Sequence, residues 1–306
     1  MSRMVVALGG NALLRRGEPA EADTQRRNVL GAASALAELA DEHELVITHG
    51  NGPQVGLLAL EADAYKAVSP YPLDILGAES QGMIGYLLVQ ALRNEVDCDV
   101  VAVLTQVLVD EDDPAFARPA KPIGPVYDEA EARRLAAERA WTVAPDGPYF
   151  RRVVASPSPR SIVELAAIER LLDAGSIVVC AGGGGIPVAA DGRRLHGVEA
   201  VIDKDLTAAL LAEEIGAERL VMLTDVRAVE RDWGRPGAEP LALTTPTELR
   251  RLRFAAGSMA PKIEAACRFV ERTGGEAAIG ALSELAAVAR GEAGTRIAAA
   301  AHVPVP

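Results

Sequence analysis

The stretch "VVALGGNALL", residues 5–14, places two glycines and an asparagine directly behind a short apolar run. Residues 4–8 read as a buried strand and Gly9-Gly10-Asn11 as the turn that ends it. A glycine turn after a first strand is a natural phosphate site, because backbone N–H groups can close on an anion where no Cβ intervenes. This one has neither the G-x-x-x-x-G-K-[ST] nor the G-x-G-x-x-G spacing, and no lysine follows it. A phosphate held here therefore needs positive charge from elsewhere in the chain.

Outward from that turn the same device recurs. "THGNGPQVG" at 48–56 follows a strand-like run at 44–48, and "CAGGGGIPV" at 180–188 follows one at 176–180. "AAGSMAPK" at 255–262 is a fourth glycine-containing segment. Helical patterns are expected at 26–42, 73–94, 161–173, 205–215, 246–253, 261–272 and 284–290, with further strands at 99–105, 219–223 and 277–281. Ser161 with Glu164, Thr245 with Glu248 and Asp128 with Glu131 fit the spacing of a capping box. Continuous apolar strands alternating with helices predict an α/β fold, a mainly parallel sheet covered on both faces. Glycine loops at the carboxyl ends of such strands line one edge, where ligands bind. Residues 110–160 break the rhythm with proline and charge, one helical run and a hairpin around Asp146-Gly147. They read as a small inserted lobe, about 110–155, over the working edge.

Composition narrows the function. Of 306 residues, 49% are hydrophobic and 24% charged, the profile of an ordered chain, and with 4% aromatics the core must be built from Ala, Val, Leu and Ile. A net charge of −12 argues against nucleic acid or an anionic membrane as the main partner. No apolar stretch has membrane-spanning length, so a cytoplasmic protein is expected. Cys98, Cys180 and Cys267 show no metal or disulfide spacing and are expected to be small buried hydrophobes.

The basic residues are more telling. Of 31, only Lys66, Lys121, Lys204 and Lys262 are lysine. An ammonium is a compact point charge where a guanidinium is a wide fork, so lysine kept against such a bias suggests sites a fork would not fit. Lys66 falls in an ordinary helical run; the other three fall in glycine- or proline-rich stretches. In "GVEAVIDKDLTAALLAEEIGA", residues 197–217, Asp203, Lys204 and Asp205 open a helix. Acids suit a helix start and a lysine does not, which points to an anion just beyond the helix end. Asp205 is placed to hold Lys204 and Lys262 by charge-assisted hydrogen bonds. His49, at a strand end, reads first as a residue that orients its loop and second as a general base.

Taken in order, "ALGGNAL", "THGNGPQVGLL", "YPLDILGAESQGMIGY", "KPIGP", "RRVV" with the following "SP", "GGGGIPV", "GVEAVIDKDL", "LTDV" and "GSMAPK" closely resemble the carbamate kinases of the amino acid kinase superfamily, over nearly the whole chain. The resemblance implies a three-layer α/β/α sandwich, a homodimer, and reversible phosphoryl transfer between carbamoyl phosphate and ADP, giving carbamate and ATP, commonly in arginine catabolism. It implies Mg2+ carried on the ATP or ADP phosphates, with no direct protein ligand. By the same resemblance Gly9, Gly10 and Asn11 face the transferring phosphoryl group, and Gly50, Asn51 and Gly52 the carbamate. Lys121, Lys204 and Lys262 supply the missing charge, organised by Asp205. Gly183, Gly184, Thr224, Asp225, Met259 and Lys262 would meet the nucleotide. Residues 1–216, including the lobe, would form the phosphoryl-acceptor region and 217–306 the nucleotide region. Arg227-Ala228-Val229-Glu230 depart from the Gly-Val-Tyr-like residues usual near the adenine, and Ala155 and Ser158 replace a common proline and basic residue. Two alternatives compete. An N-acetylglutamate kinase-like enzyme would carry a lysine where Asn11 stands, and a silent regulatory member would not need Lys121, Lys204, Asp205 and Lys262.

Overall fold

The computed structural model describes the chain except residues 15–16, 66, 68, 234–236, 253, 255–258 and 300–306, and except the side chains of Asn11 and Ala12. Lys66 and the first half of the fourth glycine segment, residues 255–258, thus lie outside the described residues. The first half runs β1 (Ser2–Leu8), α1 (Gly10–Leu13), α2 (Ala22–Ala40), β2 (His43–His49), α3 (Gly52–Ala64), α4 (Leu73–Arg93), β3 (Val100–Ala102) and β4 (Gln106–Leu108). The lobe follows as β5 (Lys121–Tyr127), α5 (Glu129–Arg139), β6 (Thr142–Asp146) and β7 (Tyr149–Val154). Then come β8 (Ser161–Ile162), α6 (Leu165–Asp173), β9 (Ile177–Val179), β10 (Ile186–Asp191), β11 (Arg194–Gly197) and α7 (Lys204–Glu214). The chain continues with β12 (Arg219–Thr224), β13 (Glu230–Arg231), β14 (Glu239–Pro240), β15 (Leu243–Thr244), α8 (Pro246–Leu249), α9 (Met259–Thr273), β16 (Glu276–Ala281), α10 (Leu285–Arg290) and β17 (Thr295–Ile297).

Eight of these strands form the central sheet in the order β15-β17-β16-β12-β1-β2-β9-β3, parallel except for the β16–β17 pair. Alternation along each strand divides its side chains between two cores. Val5 and Ala7 pack with Val46, Leu220 and Met222 against Ile168, Leu211, Ile263 and Phe269 from α6, α7 and α9. Met4, Val6 and Leu8 pack with Leu45, Ile47 and Val221 against Val29, Leu36, Ile84 and Val288 from α2, α4 and α10. The result is a three-layer α/β/α sandwich, as expected. β1, β2, β9 and β12 are neighbours, so the loops after them share one edge.

The lobe is a separate three-stranded sheet, β5-β7-β6, whose β6–β7 hairpin turns at Asp146 and Gly147. It rests on α3 through backbone-to-backbone contact: a Cβ on Gly56 would stand 2.1 Å from the Gly124 Cα.

Several local expectations needed correction. The 161–173 helix starts at Leu165; Ser161 is in β8, and Glu164 does not close a capping box but accepts hydrogen bonds from the Gln106 backbone N–H (2.7 Å) and Nε2 (2.8 Å). Pairing with β4 took the segment that propensity gave to the helix. The run 99–105 shortens to β3, and Thr105 instead exchanges hydrogen bonds with Gln81 and Ala181. The described helix at 246 spans only four residues, though its Thr245–Glu248 capping box is present. Asp128 caps α5 by accepting from the Glu131 N–H at 2.8 Å. Cys180 and Cys267 are buried, but Cys98 is exposed on the turn between α4 and β3.

Candidate active site

The carboxyl edge of the sheet is assembled by glycines that let backbones touch. A Cβ on Gly9 would meet the Leu223 carbonyl oxygen at 2.8 Å, so the first loop lies against the end of β12. A Cβ on Gly50 would stand 2.9 Å from the Gly10 nitrogen and 3.4 Å from Lys204 Cδ. Gly183, at φ +66°, leaves room for Asn51, whose Nδ2 a side chain there would approach to 2.1 Å. First, second and third loops and the start of α7 are therefore one interlocked surface.

His49 belongs to that scaffold. It is buried, its Nδ1 donates to the Gly50 carbonyl at 3.1 Å, and burial pushes its pKa down to about 4, against the raising effect of that hydrogen bond. A neutral, enclosed imidazole orients the loop, the first of the two expected roles. Asn51 is tied to α4 through Nδ2 donating to Ser80 Oγ at 2.8 Å, and Ser80 in turn donates to the Gly77 carbonyl. Gly52 opens α3 with space around it. Gly182, Gly183 and Gly184 are buried, and the Gly184 carbonyl accepts from Thr207 Oγ1 at 2.9 Å. Thr224 ends β12 and donates from Oγ1 to Asp225 at 3.0 Å; Met259 opens α9 one turn before Lys262.

The charge required by the first loop is gathered at α7. Lys204 Nζ donates to Asp205 Oδ1 at 2.6 Å, and Lys262, from α9, donates to Asp205 Oδ2 at 2.9 Å. All three side chains are nearly enclosed, at 11%, 5% and 4% exposure for Lys204, Lys262 and Asp205. Burial alone would raise the Asp205 carboxyl, but the two ammonium groups together outweigh it and hold it well below the usual carboxylate range. Burial lowers the Lys204 pKa, against the pull of Asp205 and Asp203. Asp203 caps α7, its Oδ1 accepting from the Asp205 and Leu206 N–H groups, while its Oδ2 takes Lys121 from the lobe. Three ammonium groups against two carboxylates leave the cluster one positive charge at a helix N-terminus. Such an arrangement has the chemistry to attract an anion.

The sequence reading missed the second role of Asp203, since an acid at a helix start is ordinary decoration. A cleft of about 280 Å³ lies away from this edge: Arg219 and Glu276, at the amino ends of β12 and β16, line it with Arg290 and Arg296. Its guanidiniums meet Glu276, the Ala289 carbonyl and Glu42, an ion-pair network at the far end of the strands. Among the described residues no helix is long and apolar enough to cross a membrane.

Comparison with known proteins identifies the family of this fold. The amino acid kinase family model matches residues 2–280. A carbamate kinase of Haemophilus influenzae is 54% identical over 298 residues, 96% of either chain, and that of Escherichia coli K12 is 54% identical over 97% of this chain and 99% of its own. A carbamate kinase of Giardia lamblia, solved with citric acid, superposes with a TM-score of 0.92 at 40% identity over 97% of this chain and 98% of its own. The same enzyme with AMP-PNP gives 0.88, also at 40% identity, with the same coverage of each chain. The chain belongs to the amino acid kinase family and, within it, to the carbamate kinases.

Proposed function

We propose that this protein catalyses reversible phosphoryl transfer between carbamoyl phosphate and ADP, giving carbamate and ATP. The observation that carries the reading is Asp205 holding Lys204 and Lys262 in a buried fork while Lys121 is docked beside them. Phosphoryl transfer needs positioning and charge stabilisation rather than a covalent enzyme intermediate. Gly9, Gly10 and Asn11 would offer donors to the phosphoryl group in flight, and Gly50, Asn51 and Gly52 would hold the carbamate end. Lys204 and Lys262 would stabilise the charge that passes between leaving and attacking oxygens, with Lys121 closing from the lobe. Gly183, Gly184, Thr224, Asp225, Met259 and Lys262 would serve the nucleotide, residues 217–306 forming most of its site and residues 1–216 the acceptor side. The Giardia carbamate kinase was solved with AMP-PNP bound, which supports a nucleotide as substrate.

The donor set suits Mg2+ held by phosphate rather than by protein. Both acidic side chains of the cluster are taken by ammonium groups. When bound on the nucleotide, Mg2+ would neutralise phosphate charge and fix its geometry.

A homodimer in the cytoplasm, serving arginine catabolism, completes the proposal. Ile75 and Tyr86 stand exposed on α4, two large apolar side chains that a second copy could cover. Light scattering at micromolar concentration should give twice the chain mass. The central test is ATP formation from carbamoyl phosphate, ADP and Mg2+, with acetyl phosphate in parallel and N-acetylglutamate plus ATP in the opposite sense. Carbamoyl phosphate-dependent ATP well above the uncatalysed rate is expected; N-acetylglutamate phosphorylation in its place would favour the sibling enzyme.

A further inference from the structure

Between β11 and α7, residues 199–203 run as a strap with two faces. Ala200 and Ile202 are fully buried, Ile202 in the core beneath α6, α7 and α9. The odd positions turn the other way, toward the lobe. Glu199 reaches Arg152 of β7 at 3.8 Å while its other oxygen accepts from the Leu73 N–H at 2.8 Å, at the start of α4. Val201 packs with Ile123 and Val154 of the lobe, and its N–H donates to the Ala155 carbonyl at 3.0 Å. Asp203 pairs with Lys121 of β5. Period-two alternation thus fastens the lobe at three successive odd residues and delivers the last of them, Asp203, to the helix start that carries Lys204 and Asp205.

Asp203 divides its carboxylate. One oxygen satisfies the first amides of α7, and the other fixes where the Lys121 ammonium stands. A side chain with four rotatable bonds on a small sheet has no other charged partner among its described contacts to define its position.

We propose that residues 199–203 couple the lobe to the phosphate helix, and that Asp203 is the positioning residue that aims Lys121 in the phosphoryl-transfer step. This rests on the carbamate kinase reading above. When the lobe is seated, Asp203 sets where the Lys121 ammonium meets entering substrate oxygens, and lobe displacement along the strap disturbs α7 and the lobe together.

Asp203→Asn separates the two duties, since asparagine caps a helix as well as aspartate but carries no charge for Lys121. Expected are a kcat for ATP formation lowered about 10-fold with KM for ADP within about twofold, and no further loss when the change is made in Lys121→Ala. Chymotrypsin, cutting at lobe residues such as Tyr127 and Tyr149, should cleave Asp203→Asn several-fold faster than wild type, without any substrate present. A kcat loss of full size in the Lys121→Ala background, or lobe cleavage unchanged, would overturn the proposal. If wild type makes no ATP from carbamoyl phosphate, the functional reading fails instead, and the cleavage arm still reports on the strap.

Discussion

The two halves of the positive cluster are built differently. Lys204 and Lys262 come from α7 and α9, helices packed on the eight-stranded sheet, and share one enclosed carboxylate. Lys121 comes from a three-stranded lobe, is 28% exposed, and meets Asp203 at its margin. The body buries its charges so that geometry is fixed before substrate arrives, which is what electrostatic stabilisation of a transition state requires. The lobe carries few buried apolar residues, chiefly Ile123, Ala132, Leu135, Val153 and Val154. Low apolar burial gives low local stability, the property of an element that opens and closes. Fixed charge belongs to the body and arriving charge to the lobe.

The sharpest way to break that contrast is to remove one lysine from each side. Lys204→Ala should lower turnover by ~1,000-fold, because Lys204 is the ammonium side chain that lies against the Gly50 loop among the described residues. Lys121→Ala should cost less, about 10- to 100-fold, with Lys121→Arg a poor rescue because the guanidinium is wider than the ammonium it replaces. Initial rates of ATP formation measure both. Equal losses would abolish the distinction between fixed and arriving charge.

A smaller effect probes the lobe's seat. Gly56→Ala drives a Cβ into the Gly124 backbone, so the lobe must shift off α3. Turnover should fall by about tenfold and cleavage at 110–155 should quicken, while the sheet's unfolding midpoint moves little. The seat also includes Trp141, flanked by the Arg139 and Arg152 guanidiniums, each 4.9 Å from its ring centre.

The smallest effect concerns stability alone and belongs to the body. The His49 pKa falls from 6.5 to about 4 on folding, so between those values the unfolded chain binds more protons and acid destabilises the fold. From pH 7 to pH 5 this group alone should remove about 2 kcal/mol. Urea unfolding at both pH values should show that loss in wild type and a flatter response in His49→Gln. Identical pH responses would remove His49 from the account.

How much of this could be read in advance differs between the same two regions. In the body, unbroken apolar runs and glycine loops after them gave both sheet and edge, and a lysine bias pointed to Lys204 and Lys262. The lobe's presence was legible from proline and charge, and its hairpin from Asp146-Gly147. Its seat was not, because Gly56 meeting Gly124 is a contact between backbones distant in sequence with no side chain to announce it. Asp203 was named only as a helix opener; its alternate face shows once β5 lies alongside. Ser161 misled because a capping-box spacing is local, whereas pairing with β4 is not.

The central claim is that one carboxylate holds two lysines in working position, and Asp205→Asn tests it most directly. Asparagine there leaves two enclosed ammonium groups without their counter-charge, so some loss of stability is expected, and folding is to be verified by circular dichroism at the assay temperature. On protein verified as folded, kcat for ATP formation from carbamoyl phosphate and ADP should fall at least ~100-fold, a barrier increase of about 2.7 kcal/mol. Turnover close to wild type in folded Asp205→Asn would contradict the account and leave Asp205 a residue of the helix start alone.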